Sequence, residues 1–326
     1  MRVLITGHSG FIATNLVLPF ERLGHTVVSP DLLKLHRRLK TGEHCVYSNS
    51  ELDWTQNLGT LGVDVIVHNA AVVGTDVVAL DPQEATLTNV TGTYNICRAA
   101  EKLRIPVLYL GTTVIYDSDI YQDLPITEVS SHAPKTLYGS LKLAGEHIVS
   151  SHCKKWAVVR PLFCYGGIGD NNSLIAKGFY AGLTGKSHVD MFLDPERYKD
   201  YMRVEDFCDA VAFIVHEGMW GTDWNIAAET PVPTGKIIDM MSEISGIDIG
   251  SIVRWYPKTD YLGNHRLSSD KFRFESGWRP NNDLYGGLAK SWDDLRQNLG
   301  STDYNPLKYL ETAEKNQIDL TQFFNR

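Results

Sequence analysis

Apolar residues in the first half of the chain fall into short unbroken runs separated by longer mixed stretches. Arg2-Val3-Leu4-Ile5-Thr6, His25 to Ser29, Val63 to Val67, Pro106 to Leu110 and Trp156 to Pro161 read as strands. Glu51-Leu52-Asp53-Trp54 reads as the end of another strand-like piece. Between them the pattern predicts helices from near Phe11, from Asn89 through about Leu103, and from near Thr136. Strand and helix in repeated order mean an α/β fold, a parallel sheet covered on both faces. Beyond Tyr165 the alternation fades. Helices are predicted over 174–185, up to about Glu217, over 236–245 and over 285–297, with strands at Lys199 to Val204 and Trp224 to Ala227, the latter rejoining the sheet. The expected domains are 1–163 with about 204–228 for the sheet, and 164–203 with 229–326 for a smaller C-terminal substrate-binding lobe.

The first strand runs into Gly7-His8-Ser9-Gly10-Phe11-Ile12-Ala13. Gly7 permits a tight turn, Gly10 removes a side chain where a pyrophosphate would approach, and the helix from Phe11 aims its N–H groups and dipole at the anion. The pattern suits the nucleotide end of a Rossmann-type doubly wound sheet, and equally a plain turn; the rest of the chain decides between them. Asp31, at the end of the second strand, can accept from the adenosine ribose hydroxyls and would repel a 2′-phosphate, which favours NAD over NADP. The basic residues His36, Arg37, Arg38 and Lys40 keep NADP open. Asp53 is placed to meet the adenine amino group, with Trp54 beside the ring. Small residues at Ala70 and Ala71 let a cofactor pass close to the backbone.

Tyr138 and Lys142 lie four residues apart on one helical face. A phenol is a poor base at neutral pH, but an ammonium one turn away and a nicotinamide positive charge favour the phenolate. Tyr138 can then take a hydroxyl proton, Lys142 can also hold the nicotinamide ribose, and Thr112 at a strand end can orient the same substrate oxygen.

The 326 residues are 43% hydrophobic and 21% charged, ordinary for a globular chain, and the net charge of -8 argues against nucleic acid or an anionic membrane as a partner. No apolar run approaches a membrane span and no leader precedes the first strand, so the expected location is cytoplasmic. The five cysteines, Cys45, Cys97, Cys153, Cys164 and Cys208, lack paired short spacing, so neither a metal site nor a disulfide framework is expected.

Taken in order, Thr6-Gly7-His8-Ser9-Gly10-Phe11-Ile12, His68-Asn69-Ala70-Ala71, Asn89-Val90-Thr91-Gly92-Thr93, Thr112, Tyr138-Gly139-Ser140-Leu141-Lys142 and Arg160-Pro161 through Tyr165-Gly166 resemble the extended short-chain dehydrogenase/reductases, in particular the nucleotide-sugar epimerases and dehydratases. The likeness continues through Lys199-Asp200-Tyr201-Met202-Arg203-Val204, Ser269-Asp270-Lys271 and Gly277-Trp278-Arg279-Pro280. It implies NAD as cofactor, with Gly7, Gly10, Phe11 and Ile12 at the pyrophosphate and Asp31 at the adenosine ribose. It implies further Asp53 and Trp54 at adenine, Ala70 and Asn89 at the inner ribose, and Thr112, Tyr138 and Lys142 as the catalytic set. It also implies a homodimer formed through the helices beginning near Thr93 and Tyr138.

The departures bear on the substrate. Thr113 and Val114 stand where the 4,6-dehydratases carry an Asp-Glu pair, and Val114 and Ile168 stand where the GDP-fucose synthase type has its cysteine and histidine. None of these can shuttle a proton as those residues do. A 4-epimerase needs only the Thr, Tyr and Lys set, and so does a ketoreductase or dehydrogenase. Phe163 replaces the asparagine expected on a sugar-nucleotide diphosphate and Lys199 replaces an arginine; Arg197, Arg203 or Arg266 could compensate. Thr113, Phe163, Lys199, Arg203 and Arg266 are thus the candidate substrate-facing residues. The leading expectation is an NAD-dependent nucleotide-sugar epimerase. Alternatives are a reductase or dehydrogenase of a sugar-like alcohol or ketone, and an NAD-sensing protein without catalysis.

Overall fold

The computed structural model describes residues 1–8, 10–28, 54–117, 125–170, 173–257, 260, 262–281, 283–299 and 306–307. Asp31, Asp53, Cys45 and the basic residues from His36 to Lys40 lie outside them. The chain divides into two compact units, one formed by Met1–Tyr116, Ser131–Pro161 and Cys208–Asn225, the other by Asp117–Ser130, Leu162–Phe207 and Ile226–Arg326.

The chain begins β1 (Arg2–Thr6), α1 (Phe11–Arg22), β2 (Thr26–Val28), α2 (Trp54–Leu61) and β3 (Val65–His68). It continues α3 (Thr75–Leu80), α4 (Pro82–Thr86), a π-helical stretch (Leu87–Gly92), α5 (Thr93–Leu103), β4 (Val107–Leu110), α6 (Leu137–His152) and β5 (Trp156–Pro161). Then follow β6 (Cys164–Tyr165), α7 (Leu174–Leu183), β7 (Val189–Met191), β8 (Tyr198–Lys199), β9 (Met202–Arg203), α8 (Val204–Glu217) and β10 (Thr222–Ile226). The last elements are β11 (Val232–Pro233), α9 (Thr234–Ser245), β12 (Val253–Trp255), α10 (Asp270–Ser276) and α11 (Leu284–Asn298).

In the first unit six strands form one sheet in the order β10-β5-β4-β3-β1-β2, and β1 pairs parallel with both β2 and β3. The α/β sheet expected from the apolar runs is therefore present. Its central strands are largely apolar: Leu4, Ile66, Val107 and Val158 join Leu58, Ile96, Cys97 and Val149 from the helices in one core. The chain order reverses at β1 and β3, and at such a switch point a crevice opens outside the strand ends. The Gly7 turn and the Asn69-Ala70 segment follow those two strands.

Two local readings need correction. Trp54 starts a helix instead of ending a strand, because its buried ring pairs with Leu58 one turn later. The helix expected to open at Asn89 is preceded by α4 and the π-helical stretch, which carries the buried Thr88, Asn89 and Gly92. The π-turn places the Asn89 carboxamide on the backbone of Val72, accepting from its N–H at 2.8 Å and donating to its carbonyl at 2.9 Å.

In the second unit a separate core gathers Phe179, Ile237, Met241, Ile249, Leu288 and Trp292 from α7, α9, α11 and their connections. The strand expected over Lys199 to Val204 is broken into β8, which pairs antiparallel with β11, and β9, which pairs parallel with β6. Between the two pieces the buried Asp200 carboxylate accepts from the Glu229 N–H at 2.7 Å.

Candidate active site

The site in the first unit starts from Thr6 at the end of β1. Its hydroxyl oxygen accepts from the N–H groups of Asn69 and Ala70, each at 3.0 Å. With both lone pairs engaged, its proton goes to His68 Nδ1 at 2.8 Å. That leaves the proton of His68 on Nε2, which donates to Thr93 Oγ1 at 3.0 Å, and Thr93 donates in turn to the Asn89 carbonyl at 2.8 Å. Burial, reinforced by the charge of Lys142, pushes His68 down to about 3, so the imidazole stays neutral. One directional chain of hydrogen bonds thus fixes the ends of β1 and β3 and the start of α5.

Gly7 is at φ 65°, and a Cβ there would meet the Cα of Ala70 at 2.8 Å. Only glycine lets the two turns touch. The next helix, α1, has Gly10 at its N-cap with no side-chain cap and no acidic residue in its first turn, where Phe11 and Ile12 sit. A cradle that a side chain would fill, facing a helix end left to an anion, fits the pyrophosphate of a dinucleotide. Ala70 is buried against this turn, while Trp54 lies in the core among Leu4, Val28, Leu58 and Ile66. Asn89, spent on Val72 through both ends of its carboxamide, positions the segment after β3.

Thr112 follows β4 in extended conformation and caps the short turn of Thr113–Ile115. Helix α6 is capped by Thr136, whose hydroxyl accepts from the Gly139 N–H at 3.1 Å. This start turns Tyr138 and Lys142 inward, and both are buried. Burial pushes the Tyr138 phenol up to about 12, and the smaller influence of the Thr112 side chain works the other way. Lys142 Nζ donates to the Leu110 carbonyl at 2.5 Å and lies 4.1 Å from the centre of the Tyr109 ring. Burial pushes it down to about 7 although Glu146, one turn on, pulls it back up. Thr112, Tyr138 and Lys142 are therefore brought together, with the buried Thr113 beside them and Val114 packed on the Tyr138 cluster. By itself the site holds its phenol protonated at neutral pH; extra positive charge is needed to make it a base.

The four other candidates belong to the second unit. Phe163 packs on Tyr201 with ring centres 5.7 Å apart. Lys199 is fully buried, pairs with Asp260 at 2.8 Å and also donates to the Gly263 carbonyl. Arg203 faces Glu205 at 3.5 Å, and Arg266 is half-buried, its carbonyl accepting from Ile126 at 2.8 Å. The neighbouring Arg197 is half-exposed and pairs with Asp194 at 3.5 Å.

Sequence reasoning assigned no role to Glu146, Arg160 or Asp260. The signals were there for two of them: Glu146 continues the four-residue spacing of Tyr138 and Lys142, and Arg160 is a charge inside an apolar strand. Asp260 had no local mark. Among the described residues no three His, Cys, Asp or Glu side chains converge as a metal site, and no helix is long and apolar enough to cross a membrane.

A parallel sheet with a glycine turn at its switch point and a buried Thr, Tyr and Lys cluster defines a dinucleotide-dependent enzyme of the extended short-chain dehydrogenase/reductase class. The chain belongs to the NAD dependent epimerase/dehydratase family, whose model matches residues 3–227, and NAD is the cofactor of that family. A dTDP-4-dehydrorhamnose reductase of Shigella flexneri is 29% identical over 171 residues, 52% of this chain and 54% of that protein, so the match spans about half of the relative. A dTDP-glucose 4,6-dehydratase of Mycolicibacterium smegmatis is 24% identical over 94% of this chain and 96% of its own length. The UDP-glucuronic acid 4-epimerase of Bacillus cereus, solved with UDP-glucuronic acid and NAD, superposes with a TM-score of 0.76 at 20% identity, covering 91% of this chain and 99% of that one. At that identity the likeness carries the fold.

Proposed function

We propose that the protein is an NAD-dependent nucleotide-sugar epimerase of the 4-epimerase type. The observation that carries this reading is a Thr112, Tyr138 and Lys142 cluster whose flanking Thr113 and Val114 offer no second acid or base. The Gly7 turn and the start of α1 would hold the NAD pyrophosphate, and Lys142 the nicotinamide ribose. Bound NAD would supply a hydride acceptor and donor, together with a positive charge that lowers the phenol.

Tyr138 then accepts the proton of the sugar 4-hydroxyl while Thr112 orients that oxygen and the Lys142 ammonium stabilises the phenolate. The 4-keto sugar left once the C4 hydride has passed to bound NAD would turn over in the site, so that the hydride would come back to the opposite face of C4 while Tyr138 returns the proton to the oxygen. No proton need leave a sugar carbon, which is why the missing carboxylate pair is no obstacle here and would be one for a 4,6-dehydratase.

The test is turnover of purified protein with NAD on UDP-, GDP-, dTDP- and CDP-sugars, followed by NMR of the sugar. Inversion at one carbon without net NADH supports the reading; no turnover on the whole panel overturns it. A second reading, a reductase or dehydrogenase of a sugar-like alcohol or ketone, draws on Phe163 packed against Tyr201 and on Lys199 neutralised by Asp260, neither of which offers a ready anion ligand. It would register in the same assay as stoichiometric production or consumption of NADH.

A further inference from the structure

Helix α6 buries three functional side chains in a single file, Tyr138, Lys142 and Glu146, each one turn from the next. Neither of the first two has an obvious need for the third. Glu146 is 5% exposed and is gripped by Arg160 of β5 through Nε, at 3.1 and 3.2 Å from its two oxygens, and through Nη2 at 2.8 Å. Arg160 is fixed in turn by Asp223 at 2.6 Å and by the Tyr116 hydroxyl, which accepts from it at 2.7 Å. The carboxylate also lies directly against the backbone of Gly111, so close that no side chain fits there. Gly111 joins Leu110, whose carbonyl accepts from Lys142, to Thr112, whose side chain acts on the Tyr138 phenol. A buried carboxylate thus touches the hinge between both contacts of the catalytic pair.

We propose that Glu146 is a positioning residue of the active site: clamped by Arg160, its carboxylate keeps Lys142 charged and holds the Leu110 to Thr112 turn against α6. This rests on the reading of Tyr138 and Lys142 as the reacting pair. The groups around Lys142 leave the task to Glu146. His68 of β3 is neutral, the Tyr109 phenol of β4 is pushed far above its ordinary range by burial, and Tyr138 is protonated. Among the charges acting on Glu146, Arg160 and Lys142 favour its ionised form, while Asp223 of β10 opposes it. Burial disfavours the ionised carboxylate, and the Arg160 fork counters that cost.

The decisive measurement is a pH titration of Lys142 by NMR in full-length protein labelled with 13C-lysine, with and without NAD, the signal being assigned by its loss in Lys142→Arg. Glu146→Gln keeps the shape and removes the charge, so the Lys142 midpoint should fall by about one pH unit or more. In turnover assays the alkaline limb of kcat/KM should move down with it, a shift that mere loss of packing would not produce. Should the glutamine variant fail to fold, Glu146→Asp, which keeps the charge for Arg160 but draws it back by one methylene, must lower the midpoint in the same direction by a smaller amount. A midpoint equal to that of the wild type in a folded variant overturns the proposal. The titration needs no substrate, so an inactive wild type would count against the epimerase reading and leave Glu146 to be judged on its own signal.

Discussion

Among the described residues each unit of the protein buries one lysine, and the two are treated in opposite ways. Lys142 in the first unit is 3% exposed and bonded to a carbonyl and an aromatic ring, with its carboxylate a helical turn away. Lys199 in the second unit is 0% exposed and sits in direct contact with Asp260, which also accepts from the Asp194 N–H at 3.1 Å. Burial lowers both ammonium groups, and the adjacent carboxylate gives Lys199 the closer support. An ammonium left partly uncompensated remains able to exchange its proton and bind a ligand; one locked in a pair holds two loops together. Under the proposed function, the difference separates a chemical lysine from a structural one.

The largest effects should come from cutting each lysine back. Lys142→Met removes the charge that stabilises the phenolate and should lower turnover by about 10³-fold. It also deletes a costly buried charge, so the same variant should gain about 1–3 kcal/mol in urea unfolding at pH 7. Lys199→Met should do the reverse, losing about 3–5 kcal/mol because Asp260 is left buried and unpaired. If both variants are destabilised alike, the distinction between the two lysines is gone.

A smaller effect concerns acid. The unfolded chain takes up a proton on His68 near pH 6.5, whereas the folded protein resists until about 3. Its contribution to stability is therefore complete above pH 6.5 and is lost as pH falls toward 3, amounting to about 2 kcal/mol by pH 5. Urea midpoints at pH 7 and pH 5, with hydrogen exchange to locate the loss, should show β1 and β3 loosening before the core around Phe179 and Trp292. Lys142 works in the same sense at higher pH: its lowered value means that stability rises from about pH 7 upward, and this rise should vanish in Lys142→Met. The smallest expected change is for Lys199→Met/Asp260→Leu, which removes both partners and should lie within about 1 kcal/mol of the wild type. A double variant as unstable as the single one would mean that the pair does more than neutralise itself.

Local pattern carried the sheet a long way. Apolar runs such as Val3 to Ile5 and Val107 to Leu110 are strands of the sheet as expected, and on helix α6 the Tyr138 to Lys142 spacing brings two side chains together on one face. The pattern failed at Trp54, where a single buried ring suits a strand end and a helix start equally well until Leu58 is seen packing behind it. It failed again at Lys199, whose flanking residues resemble a ligand-binding stretch while its partner stands 61 residues on.

The order of apolar and polar residues, with glycines at the turns, was enough by itself to determine an α/β sheet and to put Tyr138 and Lys142 on one helical face, because these depend on contacts within a strand, a turn or one helical repeat; the family resemblance joined Thr112 to them. Whether a buried charge stays available or is cancelled was decided only in three dimensions. Burial and the arrival of Glu146, Arg160 and Asp260 from other parts of the chain set the electrostatics of both lysines, and no stretch of sequence records which carboxylate will come to rest beside which ammonium.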